Sequence, residues 1–165
     1  MKHDRTSWAY RATERRLYGY PAICERIKKD KEQLAELELH GLRGHSRDIL
    51  RFKEKNNNRV DPEEIKDKLI EELKELIASN EREAAEIEWA LDHVKEDPYF
   101  HIFDRYLFGL TDDQIADKIY CERTTVWRNR RRLLLTLVVL LYGAEAYPED
   151  DQRGNRKHSS ETSML

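Results

Sequence analysis

The sequence contains little that bends or closes a chain. Only 6 Gly and 4 Pro occur among its 165 residues, so the closely spaced turns of a sandwich or barrel are not encoded. Period-two alternation of β-branched and aromatic residues is nearly absent as well, which removes the main signal for strands. Cysteine is limited to Cys24 and Cys121. That is too few for a disulfide framework and fits no metal-ligand spacing, so a reducing cytosol is expected. The longest apolar run, Leu133 to Leu141 broken only by Thr136, is about half of the roughly 20 residues needed to cross a bilayer. The N-terminus carries Arg5, Arg11, Arg15 and Arg16 where a signal peptide would be apolar. Neither export nor a membrane partner is expected. Catalytic patterns are missing too. His3, His40, His45, His93, His101 and His158 are scattered singly, and there is no nucleophile motif, glycine-rich phosphate loop or pair of carboxylates in an apolar setting. No enzyme activity, metal or cofactor is expected.

Charge is abundant, at 38% of residues with a formal net charge of −3. The small total conceals blocks of opposite sign. Residues 1–17 are net +3, residues 41–60 net +4, residues 61–97 net −9 and residues 98–143 net +2. Two basic stretches therefore flank a strongly acidic one, and the negative total is no argument against a polyanionic partner.

The helix-favouring composition predicts an all-α protein: a long helical hairpin or coiled-coil arm, followed by a C-terminal helix-turn-helix. Residues 1–20 form a basic N-terminal segment, with a short helix capped at Thr6 or Ser7 and ending before Gly19. Residues 21–96 form the arm. Its first helix opens at Pro21, a favoured first helical residue, and carries Ile23, Ile27, Leu34 and Leu37 on one stripe until Gly41. Residues 41–60 read as a mobile basic connection that is either solvated or set against phosphates. Asp61, Pro62 and Glu64 then announce a long helix. Along it Ile65, Leu69, Leu73, Leu76, Asn80, Ala84, Ile87, Leu91 and Val94 make a coiled-coil-like seam, to be covered within one chain or by a second. Residues 97–143 form the third region, opening with a short helix that buries Phe100, Phe103, Tyr106 and Leu107 and stops at Gly109. Residues 144–165 are expected to be disordered.

The most informative stretch runs from 111 to 132. Thr111, Asp112, Asp113 and Gln114 make a capping box. Ile115, Ala116 and Ile119 face inward, with Ala116 small enough for a second helix to cross closely. Tyr120 and Cys121 form the turn, and Val126 points back to complete a three-point core. With Val126 inward, the helical period sends Arg123, Thr124, Trp127, Arg128 and Arg131 outward. Residues 123–132 contain five arginines and no acid. The candidate DNA-binding residues are Arg123, Thr124, Thr125, Trp127, Arg128, Arg130, Arg131 and Arg132. The N-terminal ones are expected at base edges, and Arg130, Arg131 and Arg132 on phosphates of double-stranded DNA. Trp127 has two readings, burial against the following leucines or contact with a thymine methyl.

The segment YLFGLTDDQIADKIYCERTTVWRNRRRLLL resembles the promoter-reading C-terminal domain of bacterial sigma factors. The whole arrangement, a basic N-terminus, LYGYPAICERI, a basic loop closed by VDPEEI, a long helix and then this motif, is similar to the ArpU/RinA group of phage late-gene transcription activators. The overlap covers roughly residues 10–143. The resemblance implies DNA binding upstream of phage late genes in the cytoplasm of the bacterial host, in concert with host RNA polymerase. Two positions depart from the sigma-like pattern: Tyr120 stands where glycine is usual, and Glu122 where serine caps the helix. A non-glycine residue in a left-handed turn costs roughly 1 kcal/mol, and glutamate still favours a helix N-terminus.

Beyond the arginines the second helix turns apolar nearly all round, from Leu133 to Leu141. Such a helix either threads between the motif and the arm or meets a copy of itself, which predicts a dimer or higher oligomer. The rival readings are a sigma-like factor and a small-terminase-like packaging accessory. The order of parts disfavours the latter, in which the DNA-binding motif usually comes first.

Overall fold

A computed structural model describes residues 8–42 and 61–148 of the chain. The cap expected at Thr6 or Ser7, the connection from 43 to 60 and the tail beyond Pro148 lie outside the described residues. The protein is all-α. In chain order the elements are α1 (Trp8–His40), α2 (Pro62–Val94), a 3-10 turn (Phe100–Phe103), α3 (Asp104–Phe108), α4 (Asp112–Lys118), α5 (Arg123–Tyr142) and a second 3-10 turn (Ala144–Ala146). The described residues up to Pro21 and from Glu86 onward form one compact unit, and the described residues within Ala22–Ala85 form another.

The predicted break before Gly19 does not occur, and α1 runs unbroken through both Gly19 and Pro21. An interior glycine costs a helix about 1 kcal/mol and an interior proline about 3. Local propensity therefore favours two helices. It is overridden because Ala9, Thr13 and Leu17, on the turns before the proline, are completely buried, and Thr13 Oγ1 donates to the Ala9 carbonyl at 2.9 Å.

In the unit Ala22–Ala85, the stripe on α1 lies against α2 as an antiparallel pair. Lys31 pairs with Glu81 and Glu38 with Lys74, so advancing along one helix means retreating along the other. Ile23, Ile27 and Leu34 are half-buried and Leu37 is buried. Asp30 falls on this stripe fully buried and holds Arg26 Nε at 3.0 Å. On α2, Asp61 Oδ1 accepts from the Glu63 amide at 3.1 Å, supplying the expected start. The seam differs at one step. Leu76 is 42% exposed while Ile77 is buried. After Leu73 the seam advances by four residues instead of three, which keeps a 3.6-residue period in phase with Ala84.

The core of the other unit gathers Leu17 from α1, Ile87, Ala90, Leu91 and Val94 from α2, Ile102, Phe103 and Tyr106 from the short helical turns, Ile115 and Ala116 from α4, and Val126, Leu133, Leu134 and Leu137 from α5. The leucines of α5 are thus covered inside this unit, with Leu135 and Val138 also buried. Leu140 and Leu141 remain half-buried at its edge. Leu107 and Phe100, expected inside, are only partly buried, while Ile102 takes the deep position. Tyr106 Oη donates to Glu14 Oε1 at 2.8 Å; burial first, and then the facing carboxylate, push this phenol well above its ordinary value, so it stays a donor. Order extends past Gly143, where disorder was expected to begin. The Gly143 amide closes α5 on the Val139 carbonyl at 2.8 Å, and a further turn follows over Ala144–Ala146.

Full burial of an aliphatic side chain contributes about 1.5–3 kcal/mol, and deleting it leaves a cavity besides. Leu134→Ala should lower unfolding stability by about 2–5 kcal/mol, read by urea denaturation of the full chain; an unchanged midpoint would mean that this helix is not packed as described.

Candidate nucleic-acid interface

Two short-range devices set the position of α5. The first is the start of α4. Thr111 Oγ1 accepts from the Gln114 amide at 3.3 Å and Gln114 Oε1 from the Thr111 amide at 2.9 Å, a complete capping box. The second is the turn. Tyr120 adopts φ 55°, a left-handed conformation, and the Cys121 amide donates to the Ala116 carbonyl at 3.0 Å. That bond and that φ are the marks of a Schellman ending, with tyrosine in the place glycine commonly takes. The Tyr120 side chain is 97% exposed, so nothing packs against it to offset the strain.

Glu122 occupies the N-cap position of α5 with an extended backbone, but its carboxylate caps no amide. It accepts instead from the Thr124 hydroxyl at 3.3 Å. Val126 is fully buried with Ile115 and Ala116, and Ile119 packs at the edge of this cluster. Around that anchor Arg123, Thr124, Trp127 and Arg128 are all exposed. Trp127 is 57% exposed, which excludes its burial against the leucines. Arg123 Nη1 lies 3.8 Å from Asp113 Oδ1, both largely solvated. Arg128 has no hydrogen bond or ion pair among the described residues. Thr125 is half-buried, its carbonyl accepting from Asn129 Nδ2 at 2.9 Å.

The arginine run Arg130, Arg131 and Arg132 is not a uniform basic strip. The Arg130 side chain is only 13% exposed and donates to Asp112 Oδ1. The same oxygen accepts from Arg105 Nη1 at 3.0 Å, and Arg105 Nε donates to Tyr18 Oη at 2.9 Å. Arg132 forks onto Asp97, with its two terminal nitrogens at 2.8 and 2.9 Å from the two carboxylate oxygens. Arg131 is half-buried and engaged. Arg130 and Arg132, expected on phosphates, are thus held by carboxylates of the protein itself. A guanidinium buried with its partner is costly to pull away, whereas Arg132 remains half-exposed.

Sequence reading missed Asp97, Arg105 and Tyr18 as parts of this site. The signal for Arg130 was present, since it lies four residues after Val126 and three before Leu133, both on the inward face. Asp104 was missed too; it is buried between Lys118 Nζ at 2.6 Å and His101 Nδ1 at 3.3 Å.

No family model, curated protein or solved structure matches this chain. Among the described residues, no helix is long and apolar enough to cross a membrane.

Arg130→Ala should destabilise the fold by about 1.5–3 kcal/mol by removing one of the two guanidiniums that hold the partly buried Asp112, while Arg128→Ala should leave the melting temperature unchanged; equal melting of the two variants would contradict this division between the arginines. The Arg132 guanidinium holds the Asp97 carboxyl below the ordinary carboxylate range against a smaller opposing effect of burial, and the Tyr99 amide adds to the lowering. A carboxyl lowered by folding stabilises above its unfolded value near about 3.9 and loses that contribution as pH falls through the folded value. Wild type should therefore be more stable than Asp97→Asn at pH 7, with the gap closing in acid; a gap that stays constant down to pH 2 would exclude the ionic pairing.

Proposed function

We propose that this chain is a DNA-binding transcription regulator of the helix-turn-helix class, reading double-stranded DNA in a sequence-specific manner with the first turns of α5. The observation that carries this reading is the exposed row Arg123, Thr124, Trp127 and Arg128 on a helix whose rotation is set by a buried valine and a tight turn. A major groove about 12 Å wide admits one α-helix, and residues near the N-terminus of such a helix meet base edges. Arginine suits guanine, a threonine methyl suits thymine, and the indole of Trp127 offers an apolar face to a thymine methyl.

Within that class the particular role proposed is activation of phage late genes together with host RNA polymerase, in the cytoplasm of the bacterial host. This narrower reading rests on the resemblance to ArpU/RinA-type activators. A homo-oligomer remains part of the proposal, because regulators of this class commonly bind paired half-sites as dimers.

The test is selection of duplexes from a random pool by the full chain, followed by affinity measurements with variants. Arg123→Ala should cost about 1–3 kcal/mol and relax preference at one base pair. Arg128→Ala, whose guanidinium is free to reach a phosphate, should weaken all duplexes alike and reduce the salt slope by about one. Failure to enrich any sequence would remove the reading, and activation is checked by transcription with bacterial polymerase from a promoter carrying the selected site.

A further inference from the structure

The basic N-terminus noted in the sequence is not used by the site described above. On α1 the exposed side chains Trp8, Arg11, Arg15 and Tyr18 follow at intervals of three and four residues, which places them within one narrow stripe of the helix. The opposite side holds the buried Ala9, Thr13 and Leu17, so the stripe faces outward by construction. Neither Arg11 nor Arg15 makes a hydrogen bond or ion pair among the described residues. The acid beside them, Glu14, is occupied by the Tyr106 hydroxyl at 2.8 Å.

Tyr18 connects this stripe to α5. Its ring stacks edge-on against Tyr106 with centroids 4.6 Å apart, and its hydroxyl accepts from Arg105. Tyr18 and Arg105 line one open groove together with Leu110, Asp112, Asp113 and Arg123. The groove is no phosphate seat, since Asp112 is satisfied by two guanidiniums and Asp113 faces Arg123. It does join Arg123 to Tyr18 across a single continuous surface. From Tyr18, Arg15 lies about 4.5 Å and Arg11 about 10.5 Å further along the helix axis.

We infer that α1 is a second contact with the same duplex, in which Arg11 and Arg15 grip backbone phosphates flanking the bases that α5 reads. This rests on the DNA-binding reading of α5 and extends it. A duplex carries one negative charge per about 1.7 Å of its axis. A surface that presents Arg123 to the groove and continues to two exposed guanidiniums, without an ion pair among the described residues, therefore meets phosphate there. The two contacts divide the work: α5 discriminates sequence, and α1 supplies affinity that is independent of sequence.

The experiment compares the full-length wild type with Arg11→Ala/Arg15→Ala, Arg11→Lys/Arg15→Lys and Arg123→Ala by fluorescence anisotropy. Two labelled duplexes are used, one selected from a random pool and one unselected, over a series of salt concentrations. The double alanine variant should lower affinity for both duplexes by the same factor, leave the preference for the selected one intact, and reduce the slope of log K against log salt by about two. The double lysine variant should retain most of the wild-type slope, because it keeps the charge. Both arginines are exposed, and unchanged thermal melting checks that the fold is unaffected. A double alanine variant with wild-type affinity and slope overturns the inference while leaving the α5 reading in place. A wild type that binds neither duplex overturns both, and loss of sequence preference in the double alanine variant overturns the division of labour.

Discussion

The carboxylate of Asp112 is shared by two guanidiniums, and the orientation of the candidate reading helix depends on it. Asp112 stands in the first turn of α4, one residue after the threonine that caps it. It takes Arg105 from α3 and Arg130 from α5, while Arg105 reaches Tyr18 on α1. Three helices thereby meet at one small anion, and Arg105 ties a fourth to it. In a partly buried setting such a cluster is costly to leave half-made, because each unpaired charge would lack both water and partner. Arg130 is consequently held inward along with Val126 and Leu133, the outer side of α5 is left to Thr124, Trp127 and Arg128, and Arg123 is exposed as the first residue of the helix.

The arginines of α5 thus separate into two kinds. Arg130 and Arg132 neutralise acids of their own chain, Asp112 and Asp97, and hold the helix to its neighbours. Arg123 and Arg128 are exposed, and among the described residues Arg123 pairs only with the solvated Asp113. A charge already paired inside the protein has to exchange one partner for another before it can bind a phosphate, so its net gain there is small. An unpaired, exposed guanidinium has no such competitor. Counting positive residues along a helix therefore overstates its capacity for a polyanion, and the placement of nearby acids decides which charges remain available.

Outside this region the fold follows simpler rules. The antiparallel pairing of α1 and α2 within Ala22–Ala85 arises from two apolar stripes flanked by lysine and glutamate, whose ion pairs at Lys31–Glu81 and Glu38–Lys74 match the register. Exposed pairs of this kind contribute little to stability. Their effect is on alignment, since a shift by one turn would break both pairs and leave Lys31 facing an alanine or isoleucine.

Much of the architecture was legible from the sequence because it depends on local chemistry. The all-α character follows from the scarcity of glycine, proline and alternating patterns; the start of α2 from Asp61 and Pro62; the capping box from Thr111 and Gln114; and the place of the turn, at Tyr120 and Cys121, from the spacing between the two helices. Each involves groups within a few residues of one another. Tertiary structure alone decided the rest. Burial of Leu17, Thr13 and Ala9 carried α1 through a glycine and a proline that locally favour a break. Packing chose Ile77 over Leu76 for the seam, exposed Trp127, and covered the leucines of α5 within their own unit. Pairing across 35 residues between Asp97 and Arg132, and across 18 between Asp112 and Arg130, withdrew two of the arginines from the candidate surface. Periodicity shows which side of a helix a residue occupies, but a charge is claimed by whichever opposite charge the fold brings near, and that distance exists only once the chain has folded.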